Sequence, residues 1–349
     1  MYRGRGLVYY DTYITDKLLN RASIGAMFTD DSMYNAILKH GVKPLHIMFI
    51  NDLYIQYIIN EDWDIDIGMF SFRKGMLYEY GFNDYRIGNG IYSTITNQLQ
   101  GVVLKRKLDY CNILIGRLYA DKWLNSVLYI NKENKKLGTV TKGTVVDIIT
   151  IKNSFNRWKF ETDLYSIDKY IYEKYVGHIN MISAAFSYNT DDINGLLYYG
   201  LISYSKSNNN NISSSPTGEE MYYSSYYFGA NKSSGYKYLI GIRKTFDIES
   251  IKKEVLIGEE YGYVNTGYSN LTLGKPIEPY NYALLGTTYN TWIGIRLNRN
   301  QMLKLRFCYY KNNGDTYYKG AGTKSTDTDN IYMSVKSERS ITIQYYIDF

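Results

Sequence analysis

The last nine residues of the chain, 341–349, read ITIQYYIDF, with an apolar side chain at every second position and a phenylalanine at the end. This alternation is the period of a β-strand that has one apolar face and one mostly polar face. A tilted strand of about 9–11 residues crosses the hydrocarbon core of a bilayer. The stretch alone also fits an edge strand of a soluble β-protein, and the rest of the chain must decide between the two.

This stretch resembles the closing strand of Gram-negative outer-membrane β-barrels, in which apolar residues alternate and an aromatic residue comes last. The matching positions are Ile341, Ile343, Tyr345, Ile347 and Phe349. The resemblance implies an integral protein of the bacterial outer membrane, in contact with outer-membrane lipid and recognised by the barrel-assembly machinery through this strand.

The composition favours a membrane barrel over a soluble domain. The chain has 41 Tyr and only four Pro among 349 residues, so strand-forming aromatic residues are abundant and strand interruptions are few. Tyr and Trp gather where the apolar band of a barrel meets the lipid headgroups. No run of about 18 apolar residues occurs, which excludes a transmembrane helix and leaves a closed barrel as the way to span.

Several other functions are disfavoured by the residue inventory. The formal charge of +6 is modest and no block of Lys or Arg occurs, which argues against nucleic-acid binding. Cys111 and Cys308 lack metal-ligand or CxxC spacing and are interpreted as apolar fillers. The three histidines, His40, His46 and His178, have no nearby catalytic motif. We therefore predict no enzymatic activity, no cofactor and no metal site.

The N-terminal part is the least regular. Met1–Gly6 lacks the apolar core and cleavage site of a secretory signal, so we expect the numbering to begin inside a longer precursor. We predict one barrel domain over 1–349, with an irregular part at 1–45 and long antiparallel strands over 46–349. The elements predicted in the irregular part are short helices at Asp11–Asn20 and Asp31–His40 and a strand at Ala22–Phe28.

From Ile47 onward, alternating strands are separated by turn residues, which is the sequence pattern of a barrel. In Trp63–Phe72 the residues Asp64 and Asp66 share one face of an otherwise apolar strand, as expected for a wall that faces water. We predict an antiparallel transmembrane β-barrel of about 14–18 strands, with short helical segments near the N-terminus and in loops, and an extracellular loop at 205–220. The predicted strands are Phe49–Ile59, Trp63–Phe72, Gln98–Lys107, Tyr110–Tyr119, Trp123–Ile130, Val145–Ile151, Phe155–Leu164, His178–Tyr188, Ile193–Tyr204, Met221–Ala230, Tyr236–Phe246, Val255–Tyr263, Asn281–Leu285, Thr291–Leu297, Met302–Tyr310, Asn330–Val335 and the terminal strand.

The resemblance implies a porin-like channel for passive diffusion of small hydrophilic solutes or ions. Rings of lumen charges set ion preference in such pores, and an excess of inward basic residues here predicts a weak anion preference. The predicted pore-lining residues are Asp64, Asp66, Arg106, Arg117, Arg157, Lys159, Arg243, Arg296, Lys304 and Arg306. The stretch 73–92 is the candidate constriction loop, with Arg73, Lys74, Glu79, Asp84 and Arg86 as its charged residues.

Two other functions stay open. One is a structural sheath or adhesin whose lumen is plugged or filled by a partner. The other is an outer-membrane hydrolase, which the small number of histidines disfavours. By analogy with porins as a fold class, a homo-oligomer is a further expectation.

Overall fold

Every regular element that the structure describes is a β-strand. The computed structural model describes residues 3–29, 45–72, 97–120, 144–172, 175–190, 195–209, 234–249, 252–265, 268, 286–298, 301–312 and 337–347. No helix in these ranges is long and apolar enough to cross a membrane. The fifteen strands are β1 (Arg3–Thr15), β2 (Leu18–Thr29), β3 (Leu45–Ile58), β4 (Trp63–Phe72), β5 (Asn97–Lys107), β6 (Cys111–Ala120), β7 (Thr144–Phe155), β8 (Trp158–Tyr172), β9 (Tyr175–Asn189), β10 (Leu196–Asn209), β11 (Ser234–Ile248), β12 (Lys253–Val264), β13 (Gly286–Asn298), β14 (Gln301–Asn312) and β15 (Ser337–Ile347).

The strands form one antiparallel sheet in chain order, each paired with its neighbours in sequence. The connections from β1 to β2, β3 to β4 and so on are short and lie at one end of the sheet, which we call the short-turn end. Most of the alternate connections are longer in sequence, as in outer-membrane barrels. Within the described ranges no ladder joins β1 to β15. Closure of the sheet through these edges would satisfy their backbone groups in lipid.

The two faces of the sheet differ in a way that a soluble sandwich does not: the outer face is apolar and exposed, and the inner face combines buried apolar and charged residues. One face, which we call the outer face, exposes apolar side chains such as Ile341 (68% exposed) and Ile343 (71%). The other, the inner face, carries charged residues such as Asp64 and Asp66, which are almost fully buried. A soluble protein hides its apolar face and exposes its charges. The soluble edge-strand alternative is therefore wrong, and the prediction of an antiparallel barrel-type fold is confirmed.

Most predicted strands that fall on described residues are confirmed. Trp63–Phe72 is β4 with the predicted bounds, and the fifteen strands formed by the described residues fall within the predicted number of about 14–18. The terminal strand is β15, which runs to Ile347, while Asp348 and Phe349 lie outside the described residues. Other predicted elements also lie outside them, namely Asp31–His40, Trp123–Ile130, Met221–Ala230, Asn281–Leu285 and Asn330–Val335.

The helix predicted at Asp11–Asn20 is wrong. Residues 11–15 complete β1, Asp16 and Lys17 form a turn, and β2 starts at Leu18. Asp11 pairs with Arg21 and Tyr10 with Ala22 in a continuous ladder. Local helix propensity is a weak preference that tertiary pairing overrides, and the Tyr-rich and Thr-rich sequence of β1 suits a strand.

Two predicted boundaries also change. The strand predicted from Phe155 begins only at Trp158, because Asn156 and Arg157 form a tight turn in which Asn156 has a φ of 52°. Asn tolerates this left-handed conformation better than most residues. The loop predicted at 205–220 begins later, since β10 continues to Asn209 in register with β9.

Candidate functional site

The inner face of β4 and β5 carries an ion-paired group of charges. Asp64 and Asp66 lie two residues apart in β4, and Asp64 is the register partner of Lys105 in β5. The Lys105 Nζ lies 2.5 Å from an Asp66 carboxylate oxygen and 3.3 Å from one of Asp64. One cation therefore neutralises part of the charge of two buried carboxylates, and all three groups face the interior.

The same face continues this arrangement across β1–β3. Arg21 in β2 donates two hydrogen bonds of 2.7 Å each to the carboxylate of Asp11 in β1. It also donates one of 3.2 Å to the hydroxyl of Tyr54 in β3. We call Asp11, Arg21, Tyr54, Asp66 and Lys105 the charge belt. It places two acidic groups, two basic groups and one phenol on five neighbouring strands.

Sequence reasoning missed both basic residues of the charge belt. Arg21 was hidden because the first hairpin was predicted as partly helical. Lys105 was not predicted to line the pore, because its neighbour Arg106 was assigned to the inner face instead. The signal that could have found Lys105 is that β4 and β5 are neighbours in a sheet that follows chain order, since a Lys opposite an Asp on one face is a favourable cross-strand pair.

A second inner-face group lies on β7–β9. The Thr150 hydroxyl donates to one Asp163 oxygen at 2.7 Å, and the Ser183 hydroxyl donates to the other at 3.2 Å. Lys152 Nζ lies 3.0 Å from a Glu161 oxygen. Buried carboxylates need such donors, because an unpaired buried charge is costly. Lys159, one of the residues predicted to line the pore, shares this face nearer the short-turn end.

The inner face of β10–β14 is more closely packed. The Tyr199 hydroxyl donates to Glu260 at 2.6 Å, and the Asn290 amide donates to the other Glu260 oxygen at 3.2 Å. Trp292 is 1% exposed and Arg306 is 0% exposed. We call Tyr199, Glu260, Asn290, Trp292 and Arg306 the packed cluster. It is a buried polar interior and offers little surface to solvent.

Two glycines make room for the large rings of this cluster. A Cβ at Gly258 would lie 2.3 Å from the Trp292 ring, and a Cβ at Gly241 would lie 2.4 Å from the Tyr199 ring. Each glycine is on the strand beside its ring and on the same face. The glycines therefore allow the bulky side chains to lie flat on the wall.

The basic residues predicted on β11, β13 and β14 do occupy the inner face. Arg296 Nε lies 3.2 Å from a Glu254 oxygen of the neighbouring strand. Lys304 Nζ lies 5.1 Å from the centroid of the Trp292 ring. Arg243 shares the face but is only partly exposed. An inward orientation thus brings these groups together without placing them all in contact with water.

Three of the residues predicted to line the pore do not lie on the inner face. Arg106 is on the outer face, because Lys105 and Lys107 on either side of it take the inner positions. Arg117 is also outside, where it forms a bidentate pair with Asp147 at 2.7 and 2.9 Å. Arg157 lies in the turn between β7 and β8 and donates to the Thr190 carbonyl.

Tyr268, beyond the end of β12, packs onto the inner face. Its hydroxyl lies 2.8 Å from the Ser203 hydroxyl, and Lys237 Nζ lies 5.0 Å from its ring centroid. The Tyr268 phenol is protonated at neutral pH, as phenols ordinarily are, and burial raises its pKa further. It is a further residue that sequence reasoning missed.

The candidate constriction loop cannot be placed, since residues 73–96 lie outside the described residues. In the terminal strand, Ile341, Ile343 and Tyr345 lie on the outer face and are exposed. The backbone of Ile347 completes β15.

Among the residues that the structure describes, His178 and the adjacent glutamates of β12 do not form a catalytic arrangement. His178 Nδ1 lies 2.7 Å from an Asp168 oxygen, but both side chains belong to the outer face. In the described part of the chain, no Ser, Thr or Cys side chain is in hydrogen-bond contact with His178. Glu259 and Glu260 lie on opposite faces, so they do not form a carboxylate pair.

Aromatic residues gather on the outer face at the short-turn end. Trp158 lies 4.5 Å from Tyr188, 5.6 Å from Phe160 and 6.3 Å from Phe186, measured between ring centroids. Such belts mark the level of the headgroups in membrane barrels. The outer face therefore has the apolar surface and the aromatic border of a wall that contacts lipid.

No protein-family model matches the sequence, and no curated protein is similar to it in sequence. Solved structures share its fold. OmpT, an outer membrane protein of Vibrio cholerae, is 12% identical with a TM-score of 0.51, over 99% of this chain and 89% of that one. A trimer form of the same protein matches at 13% identity and a TM-score of 0.50, over 99% and 91% of the two chains.

The outer membrane channel DcaP of Acinetobacter baumannii is 10% identical with a TM-score of 0.51, over 99% of this chain and 84% of that one. These proteins belong to the bacterial outer membrane, and at such identities the likeness concerns the fold. It agrees with the meander topology, the polar inner face and the apolar outer face described above. The protein has the fold of the bacterial outer-membrane β-barrel proteins.

Proposed function

We propose that the protein is an outer-membrane channel through which small hydrophilic solutes or ions diffuse. The observation that carries this proposal is the charge belt, in which acidic and basic groups line the inner face of β1–β5 while the outer face is apolar. A structural wall has no need of charged groups on its hidden face. A water-filled passage uses them, because rings of charged side chains on its wall influence which ions pass.

The ion preference of this channel is weak. The inner face carries acidic residues that are not among the predicted pore-lining residues, such as Asp11, Glu161 and Glu254, while three predicted basic residues are not inward. We propose that a small anion preference remains, since Lys105, Lys152 and Arg296 stay partly accessible. Salt screens such charges over about 8 Å under physiological conditions.

Three further parts of the proposal concern assembly and the pore. The charged residues of 73–92 narrow the passage, β15 is the strand that the assembly machinery recognises, and the barrel forms a homo-oligomer. The length and charge of the stretch 73–92 suggest that it narrows the passage. The alternating outer residues of β15 suggest that the assembly machinery recognises this strand. The trimer form of the Vibrio protein supports the proposed homo-oligomer by analogy of fold.

A second candidate is a barrel whose lumen is narrow or filled by a partner. It is favoured by the packed cluster, where the inner-facing Trp292 and Arg306 are hidden from solvent. In this case the inner face would be a binding surface and not the wall of an open passage.

Single-channel recording of the refolded protein in a planar bilayer separates the two candidates. Stepwise currents with a small reversal potential in a salt gradient are expected for the proposed channel. Insertion without current would reject the channel and support the filled barrel. A lipid or ester hydrolysis assay on the same preparation tests the hydrolase alternative, for which we expect no activity.

A further inference from the structure

Two cations on the outer face lie beside aromatic rings near the short-turn end. The guanidinium carbon of Arg106 in β5 lies 5.0 Å from the centroid of the Trp63 ring, and Trp63 is its register partner in β4. Lys244 Nζ in β11 lies 4.8 Å from the centroid of the Phe246 ring. Arg106 and Lys244 are exposed. The same arrangement therefore occurs at two separate places on the lipid-facing surface.

Arg106 and Lys244 differ from other outer-face cations in the charges around them. Among the residues that the structure describes, no carboxylate lies within ion-pair distance of Arg106 or Lys244. Arg117, which is also on the outer face, differs because it has Asp147. A lone charge facing lipid is costly at the bilayer midplane and nearly neutral at the interface. The two cations therefore belong at the level of the headgroups.

The outer face supplies independent evidence for that level. The aromatic group around Trp158 lies at the same end of the sheet. Toward the other end of β9 the outer residues change from apolar Ile182 to polar Asn180 and His178. The distance along β9 from Tyr188 to Asn180 is about 26 Å. At the usual strand tilt this distance spans about 20 Å along the membrane normal, which is close to the height of about 25 Å of the apolar band in such barrels.

The direction of the Lys244 side chain fits this level. Its ammonium group lies over Phe246, which is two residues nearer the turn, so the charge is displaced from the apolar band toward the short-turn end. Lysine commonly reaches toward the interface in this way while its methylene chain stays among apolar groups. Arg106 needs no displacement, because β5 ends one residue later.

We propose that Arg106 with Trp63, and Lys244 with Phe246, are two binding sites for the anionic headgroup of phospholipids in the periplasmic leaflet. The cation contacts the phosphate and the ring lies against the glycerol and upper acyl region. Together the sites hold the barrel at a defined depth and orientation. The inference rests on the barrel fold and not on the proposed channel activity.

Native mass spectrometry of the refolded protein with short-chain phosphatidylglycerol and phosphatidylcholine tests the proposal. The wild type should prefer phosphatidylglycerol, and R106Q/K244Q should lose that preference by about fivefold for each cation removed. R106K/K244R should keep it. K107Q is the matched control, since Lys107 is next to Arg106, exposed and inward. Far-UV circular dichroism checks that each variant is folded.

Equal retention of phosphatidylglycerol by R106Q/K244Q and the wild type would overturn the proposal, as would an equal loss in K107Q. The leaflet is tested separately in intact cells, with D109C in a C111S/C308S background that removes both native cysteines. Asp109 is in the short turn after β5. A bulky maleimide that cannot cross the outer membrane should not label it, and labelling would overturn the periplasmic assignment.

Discussion

Lys105 and Arg106 are consecutive residues of β5 that face opposite environments. Lys105 Nζ lies 2.5 Å from an Asp66 oxygen on the inner face, while the Arg106 guanidinium lies over the Trp63 ring on the outer face. Their separation follows from the two-residue period of a strand. A shift of one residue in register would exchange the roles of the two cations.

Replacing Lys105 tests the charge belt. In K105Q, Asp64 and Asp66 lose their shared cation, so we expect the reversal potential of the channel to shift toward cation preference. The shift should be larger at 0.1 M than at 1 M salt, because the Debye length falls from about 10 Å to about 3 Å. Planar-bilayer recording in a salt gradient measures it.

K206Q is the control for this experiment, since Lys206 is an exposed cation on the outer face of β10. An equal shift in both variants would mean that the effect comes from the total charge of the protein and not from the belt.

Replacing Gly258 tests the packed cluster. In G258A the new methyl group would lie 2.3 Å from the Trp292 ring. We expect the free energy of unfolding to fall by about 1–3 kcal/mol, as is usual when a well-packed interior is overfilled. Urea unfolding in lipid vesicles measures the change. G195A should be close to neutral, because its Cβ would meet only Thr245 at 3.5 Å.

The contribution of the buried Tyr199–Glu260 hydrogen bond to stability can be measured by replacing two adjacent tyrosines, Tyr199 and Tyr198, one at a time. Y199F removes the 2.6 Å donor to the carboxylate, and we expect a loss of about 1.5–3 kcal/mol, the usual contribution of a hydrogen bond to a charged group. The neighbouring Tyr198 lies on the outer face and is exposed. Y198F should therefore unfold at the urea concentration of the wild type, and an equal loss in both would contradict the assigned faces.

The effects of replacing Arg117 and Asp147, the ion pair on the outer face, on the free energy of unfolding should be coupled. R117Q leaves Asp147 as a lone charge beside lipid, so we expect R117Q to be less stable than the wild type. The double variant R117Q/D147N should recover part of the loss, because it removes the remaining charge. The urea midpoints of the four proteins of this cycle give the coupling. Additive losses would show that the pair does not act as a unit.

The sequence by itself determined the strand class, the number of strands within a few, and the inward position of Asp64 and Asp66. These features are local, because alternation with period two can be read from a single strand. The bounds of β4 were correct for the same reason, with clear turn residues before Trp63.

Only the tertiary structure decided which cations share a face, and which of those cations are exposed to solvent. Arg21 joins Asp11 because β1 and β2 pair along their whole length, where local propensity suggested a helix. Arg157 falls in a turn because Asn156 adopts a left-handed conformation. Trp292 and Arg306 are inward yet hidden from solvent. The pairing of strands and the packing between them depend on residues that are far apart in sequence. The alternation within a single strand therefore cannot predict them.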